Sequence, residues 1–171
     1  MMTQRIRLAE AYILASSEVP DAEWLGDLLR VCIRTIKDQG SIEIVDELHA
    51  NAEADVVSAA VKLAAPMSEA QLRELSHNLQ SPQLQKLTVR MIKGQPQDAE
   101  FVDQADLRIE YFRQEFAKDS WMVHHTDSCV RVTHLPTGKV ARSTLHRSRA
   151  LNQDEALLLL KAELGAAPNE S

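Results

Sequence analysis

The chain has 171 residues and a formal net charge of −6, with 44% hydrophobic and 26% charged residues. These proportions describe a globular protein of one domain or two small ones and exclude a collagen-like, low-complexity or strongly basic chain. The longest apolar runs, such as Ala156 to Leu160, fall far short of the roughly 20 residues that cross a bilayer, and no basic-then-apolar leader opens the chain, so the expectation is a cytoplasmic protein without membrane insertion.

In chain order, Ile6, Leu8, Ala9, Tyr12, Ile13 and Ala15 form an apolar stripe that predicts a first helix over Thr3–Ser16. Asp21 follows Pro20 as a cap, and Trp24, Leu25, Leu28, Leu29, Cys32, Ile33 and Ile36 recur at three- and four-residue steps, the signature of a second helix ended by Gly40. Ser41 then caps a third, from Ile42 to about Asn51, with Ile44, Val45 and Leu48 inward. Three such helices with short connections predict a small helical bundle. From Asp55 the texture changes. Val56, Val57, Ala59, Val61 and Leu63 suit a strand, Ser68 caps a helix carrying Leu72, Leu75 and Leu79, and Leu84–Ile92 reads as another strand, a β-α-β segment whose strands can pair in parallel. The polar, glycine- and proline-containing stretch 94–100 is the linker candidate.

In the back half, Cys129, Arg131 and Thr133 alternate with Val130 and Val132, the period of a strand with unlike faces. Pro136-Thr137-Gly138 supplies a turn, proline by presetting φ and glycine by tolerating positive φ, so Val130–Val140 is expected to be a hairpin. Leu151, Leu157, Leu158, Leu160 and Leu164 then mark a closing helix. Charge is split along the chain: residues 1–104 carry 10 basic against 16 acidic side chains and residues 105–171 carry 9 of each. Between Cys129 and Arg149 stand Arg131, Lys139, Arg142, Arg147 and Arg149 with no carboxylate at all. Cys32 and Cys129 lie far apart without metal-ligand spacing, which reads as two reduced, buried thiols.

The segment TDSCVRVTHLPTG, followed by HRSRALNQDEALLLLKAEL and preceded by ADLRIEYFR at 105–113, resembles the catalytic domain of the bacterial class I peptide chain release factors. The resemblance covers roughly residues 105–164. It implies a β-hairpin plus C-terminal helix domain that contacts ribosomal RNA, and it places a Gly-Gly-Gln loop, which helps water attack the peptidyl-tRNA ester, between Arg113 and Thr126. Here that stretch reads QEFAKDSWMVHH. Without glycine the backbone loses the angles and the close approach to RNA that such a loop needs, and Gln114 lacks the glycines before it. No catalytic residue is therefore assigned, and the chain is expected not to be an enzyme of this type. A weaker resemblance links residues 28–92 to the delta or oligomycin-sensitivity subunit of F-type ATP synthases, in which a helical bundle leads into a strand, a capped helix and a strand.

The resulting expectation is an α+β protein: an N-terminal helical bundle with a small β-α-β segment over 1–93, a linker at 94–100, a release-factor-like domain over 101–165 and a tail at 166–171. The resemblance implies RNA contacts for Arg131, His134, Lys139, Arg142, Arg147 and Arg149, with Arg147, Ser148 and Asn152 matching a family signature in which Arg149 replaces a glutamine. Pro136 and Gly138 form the turn, and Asn152 caps the final helix. Trp121 and Met122 are either core anchors or an exposed grip for a protein partner. His124 and His125 would point to opposite faces of a strand, so no metal site is expected, and no cofactor. The first functional expectation is a non-catalytic, ribosome- or RNA-associated factor. The alternatives are a protein-interaction module on the same scaffold, an ATP synthase delta-like stalk subunit, and a peptidyl-tRNA hydrolase with a rebuilt loop.

Overall fold

The computed structural model describes residues 9–19, 23–37, 39–49, 56–94, 102–113 and 128–165. In chain order these form β1 (Ala11–Ser17), α1 (Glu23–Ile36), β2 (Ser41–His49), β3 (Val56–Ala64), α2 (Glu69–Asn78), β4 (Leu87–Lys93), β5 (Leu107–Phe112), β6 (Cys129–His134), β7 (Val140–Ser143) and α3 (Arg149–Gly165). Strands β1 to β4 make one sheet in the order β2-β3-β1-β4, and β5 to β7 a second in the order β5-β6-β7. The α+β class is as expected. Among the described residues no helix is long and apolar enough to cross a membrane.

The front part is not a helical bundle. The first and third expected helices are the strands β1 and β2. β1 lies in the middle of its sheet, between β3 and β4, and is buried on both faces, so its apolar residues follow one another without the polar gaps of a half-exposed strand. Such a run fits a helical stripe and a strand equally well. In β2 the β-branched Ile42, Ile44 and Val45 suit a pleated surface. A bulge between Ile44 and Asp46 shifts the register there, leaving Val45 buried and Leu48 exposed. The parallel pairing expected of β3 and β4 does not form either, because β1 runs between them and pairs antiparallel with both.

Local signals held where the partner was local. The α1 stripe buries Trp24, Leu25, Leu28, Val31, Cys32 and Ile36, although Ile33 is exposed. Lys37, at φ +49°, makes the reversal after α1. Gly40 is needed for a different reason: a Cβ there would lie 2.5 Å from the carbonyl oxygen of Ala64. At α2 the Ser68 hydroxyl accepts from Gln71 N, and the Gln71 side chain accepts from Ser68 N, a complete capping box.

Ala11, Ile13 and Ala15 of β1 pack with Val61, Leu63, Leu28, Cys32 and Leu75 into a core between the sheet and the α1 and α2 layer. On the other face Tyr12, Ala60 and Ile92 join Ala156, Leu159 and Leu160 of α3 and Val130, Val132 and Ala141 of the second sheet. α3 is therefore sandwiched between the two sheets rather than lying on the hairpin alone. This second core draws residues from both sides of the expected linker; the stretches 95–100 and 166–171 themselves lie outside the described residues. At about 1.5–3 kcal/mol for each large aliphatic side chain buried, it ties the halves together.

A buried ion pair sits inside it. Lys62 Nζ is 2.8 Å from Glu155 Oε1, with the two side chains 1% and 0% exposed, and Glu43 of β2 is also 3.9 Å from the same ammonium. Tyr12 stands directly across the strand pair from Lys62, and burial first, then the Glu155 charge, pushes its phenol well above the ordinary range. Lys62→Met leaves a buried carboxylate without its cation and should destabilise the protein by about 3–5 kcal/mol, whereas Lys62→Met with Glu155→Leu should recover most of that. Denaturant midpoints of the three proteins check it, and a double variant no better than the single would refute it.

Both cysteines are buried thiols, and burial pushes the Cys32 thiol from 9.0 up to about 12. The unfolded thiol ionises near 9 while the native one stays protonated, so this contribution to stability is intact below pH 9 and is lost as pH rises towards 12. The denaturation midpoint should fall over that range, and less steeply in Cys32→Ala.

Candidate nucleic-acid interface

The three-stranded sheet sets the positions of the basic side chains. In its register Glu110 of β5 stands beside Arg131 of β6, which stands beside Arg142 of β7, so the three lie in one row on the face turned away from α3. Val130 and Val132 take the alternate positions and are buried on the α3 side. The hairpin turn forms as expected: Gly138 has φ +73°, its N–H donates to the His134 carbonyl at 2.7 Å, and Pro136 is exposed.

The row is internally compensated. Arg131 Nε donates to Glu110 Oε2 at 2.6 Å, and Arg108 Nε lies 3.1 Å from the other oxygen of the same carboxylate. The Arg131 hydrogen bond, aided by the charges of Arg131 and Arg108, holds the Glu110 carboxyl below its ordinary range. Arg142 Nε is 3.6 Å from Asp46 Oδ1 of β2, and its guanidinium lies 5.1 Å from the centre of the Phe112 ring. Burial raises the Asp46 carboxyl, opposed by the Arg142 charge and by the Thr144 hydroxyl, which donates to it at 3.1 Å.

The remaining expected RNA-binding residues lie elsewhere. His134 Nδ1 contacts Thr137 Oγ1 within the turn at 2.8 Å. Lys139 Nζ donates to the Glu163 carbonyl at 2.9 Å, where a cation suits the C-terminal end of a helix dipole. Arg147 is exposed, and Arg149 at the start of α3 lies 4.6 Å from the Tyr111 ring centre. Arg131 and Arg142 thus share a face, Arg147 and Arg149 flank the head of α3, and His134 and Lys139 sit at the turn. Trp121 and Met122 fall outside the described residues. Among the described residues no group of three His, Cys, Asp or Glu side chains is placed to hold a metal.

Asn152 is not the cap of α3. Ser148 takes that place, its Oγ accepting from Leu151 N at 3.3 Å. Asn152 is fully buried inside the first turn, where its Oδ1 accepts from Ser143 Oγ and His146 N and its Nδ2 donates to the carbonyls of Ser128 and His146. It thereby staples the strand ends of β6 and β7 and the basic loop to α3. Sequence reasoning also missed the partners Glu110, Tyr111 and Phe112. Their adjacency on β5 was legible, but which arginine each meets depends on strand register.

Over 169 aligned residues the chain is 32% identical to peptide chain release factor 1 of Kineococcus radiotolerans, covering 88% of this chain and 46% of that protein. The chain is homologous to peptide chain release factor 1. The homologue from Rhodococcus jostii is 41% identical over 83 residues, covering 47% of this chain and 23% of that protein. The structure aligns with RF2 of Thermus thermophilus at a TM-score of 0.63 and 21% identity, covering 92% of this chain and 49% of that one, which shows a shared fold. No protein-family model matches the chain. The chain spans less than half the length of these release factors. The homology reaches well beyond residues 105–164 into the front sheet, the region where the ATP synthase resemblance relied on a helical bundle.

Replacing Asn152 with Leu should destabilise this release-factor homologue by about 3 kcal/mol, because four groups lose a partner at about 1 kcal/mol each, those of Ser143 and Ser128 buried and the two of His146 partly so. Chemical denaturation checks it, and a change below about 1 kcal/mol would show that the neighbouring groups satisfy one another.

Proposed function

We propose that this protein is a translation-related release-factor homologue that associates with the ribosome without hydrolysing peptidyl-tRNA. The reading rests on one combination: homology to peptide chain release factor 1 over 88% of the chain, with no glycine anywhere from Gln114 to His125. The five glycines, Gly26, Gly40, Gly94, Gly138 and Gly165, are never adjacent, so no other stretch offers the backbone freedom of a Gly-Gly pair. Phe116, Trp121 and Met122 further make the replaced segment bulky.

A second reading, a protein-interaction module on the same scaffold, is favoured by the internal pairing of Arg131 with Glu110 and of Arg142 with Asp46. It predicts little dependence on RNA.

On programmed ribosomes the purified protein should release no peptide. It should co-sediment with ribosomes at low salt, with affinity falling as salt rises by about one logarithmic unit per phosphate neutralised. Arg147→Glu with Arg149→Glu should weaken co-sedimentation without unfolding the protein, which chemical denaturation checks. Peptide release that disappears when 114–125 is mutated would refute the non-hydrolytic reading, and a wild type that never co-sediments would favour the protein-interaction reading.

A further inference from the structure

The front sheet ends on β4, and among the described residues β1 is the only strand paired with it. Gly94 N donates to the Glu10 carbonyl at 3.0 Å, and the β1–β4 register continues from that pair without a shift, so Thr88, Arg90 and Ile92 turn their N–H and C=O groups to β1. Leu87, Val89, Met91 and Lys93 therefore turn theirs outward along an edge of seven residues. A cleft lies on each face of that edge. Val89, Met91 and Lys93, with Ser76, Leu79 and Gln80 from the end of α2, line one of about 310 Å³, and Thr88 and Arg90 help to line another of about 440 Å³ on the α3 side. From Leu84 to Gly94 the chain carries Lys86, Arg90 and Lys93 and no carboxylate, and both lysines are exposed.

We propose that the β4 edge is a docking site for an extended acidic segment of a partner protein, which adds a fifth strand to the front sheet and sets alternate side chains into the two clefts. This goes beyond the ribosome-associated reading and does not rest on it. A peptide strand satisfies both the N–H and the C=O of each outward residue, whereas the phosphates of a nucleic acid are acceptors and meet only the N–H groups. The pleat fixes the partner's pattern. Its residues on the Val89 and Met91 side are apolar and those on the Thr88 and Arg90 side acidic, with Lys86 and Lys93 adding to the attraction. Arg90 serves without leaving Glu163, because its Nη2 makes that bond and a guanidinium has five N–H donors. A second copy of this chain is the poorer occupant, since edge against edge sets three cations against three.

The test is fluorescence anisotropy with a labelled heptapeptide of alternating valine and glutamate, against its valine–lysine counterpart and labelled oligoadenylate. The acidic peptide should bind more tightly than either. Two further versions carry N-methyl groups on every valine or on every glutamate. Only one row of amides faces β4, so one version should lose about tenfold in affinity and the other should keep it. Lys86→Glu with Lys93→Glu should weaken the acidic peptide roughly tenfold and strengthen its lysine counterpart. Met91→Pro removes an outward N–H, leaves the ladder to β1 intact and should also weaken binding; the methylated peptides decide the matter should that variant fail to fold. Equal binding of the two methylated peptides, preference for the lysine peptide or for RNA, or full affinity in Lys86→Glu with Lys93→Glu would overturn the proposal. So would a concentration-dependent dimer that Met91→Pro abolishes, which would give the edge to a second copy.

Discussion

Lys62 and Glu155 meet in the layer between the two sheets, one on the third strand of the front sheet and the other in the second turn of α3, both removed from water. A buried pair of this kind is close to neutral in net stability, because desolvation offsets most of the attraction, but it is decisive about arrangement. Any other seating of α3 leaves a charge unpaired in a low-dielectric core. Two turns further on, Glu163 meets Arg90 of β4, a separation of about 12 Å along the helix at 1.5 Å per residue. Two fixed points determine the direction of a rod. Glu163 also receives Lys139 on its carbonyl, so the hairpin turn is referred to the same helix.

From that seating follows the position of the second sheet. Val130, Val132 and Ala141 pack on Ala156, Leu159 and Leu160, and Asn152 locks the ends of β6 and β7 to the first turn of α3. Among the described residues the core is assembled from the hairpin, the helices and the front sheet.

A basic strip in the sequence is not a basic patch in space. Arg142, with its side chain 21% exposed, is committed to Asp46 and Phe112, and withdrawing it would leave a buried carboxylate without its cation. Arg131, 49% exposed beside Glu110, is held only by a pair that water and salt already weaken. Exposure therefore ranks these arginines by how readily each can turn to a partner: Arg147 and Arg131 before Arg142.

What the sequence determined by itself is what neighbouring residues decide together. The α1 stripe, the Ser68 capping box, the alternation along β6 and the Pro136-Thr137-Gly138 reversal depend on partners within a few positions, and each was legible. So was the release-factor resemblance of the last third of the chain, carried by contiguous motifs. Tertiary structure alone decided the rest. β1 is a strand because β3 and β4 cover its two edges, and a strand buried on both faces shows no period that separates it from a helix. β2 hides a bulge that breaks its parity, so its inward residues cannot be counted off. Lys62 reads as a surface lysine until Glu155, far along the chain, is brought against it, and Asn152 reads as a cap until the ends of two strands converge on its amide. In each case the deciding term is a contact across a long sequence separation, and its energy exists only once the chain has folded.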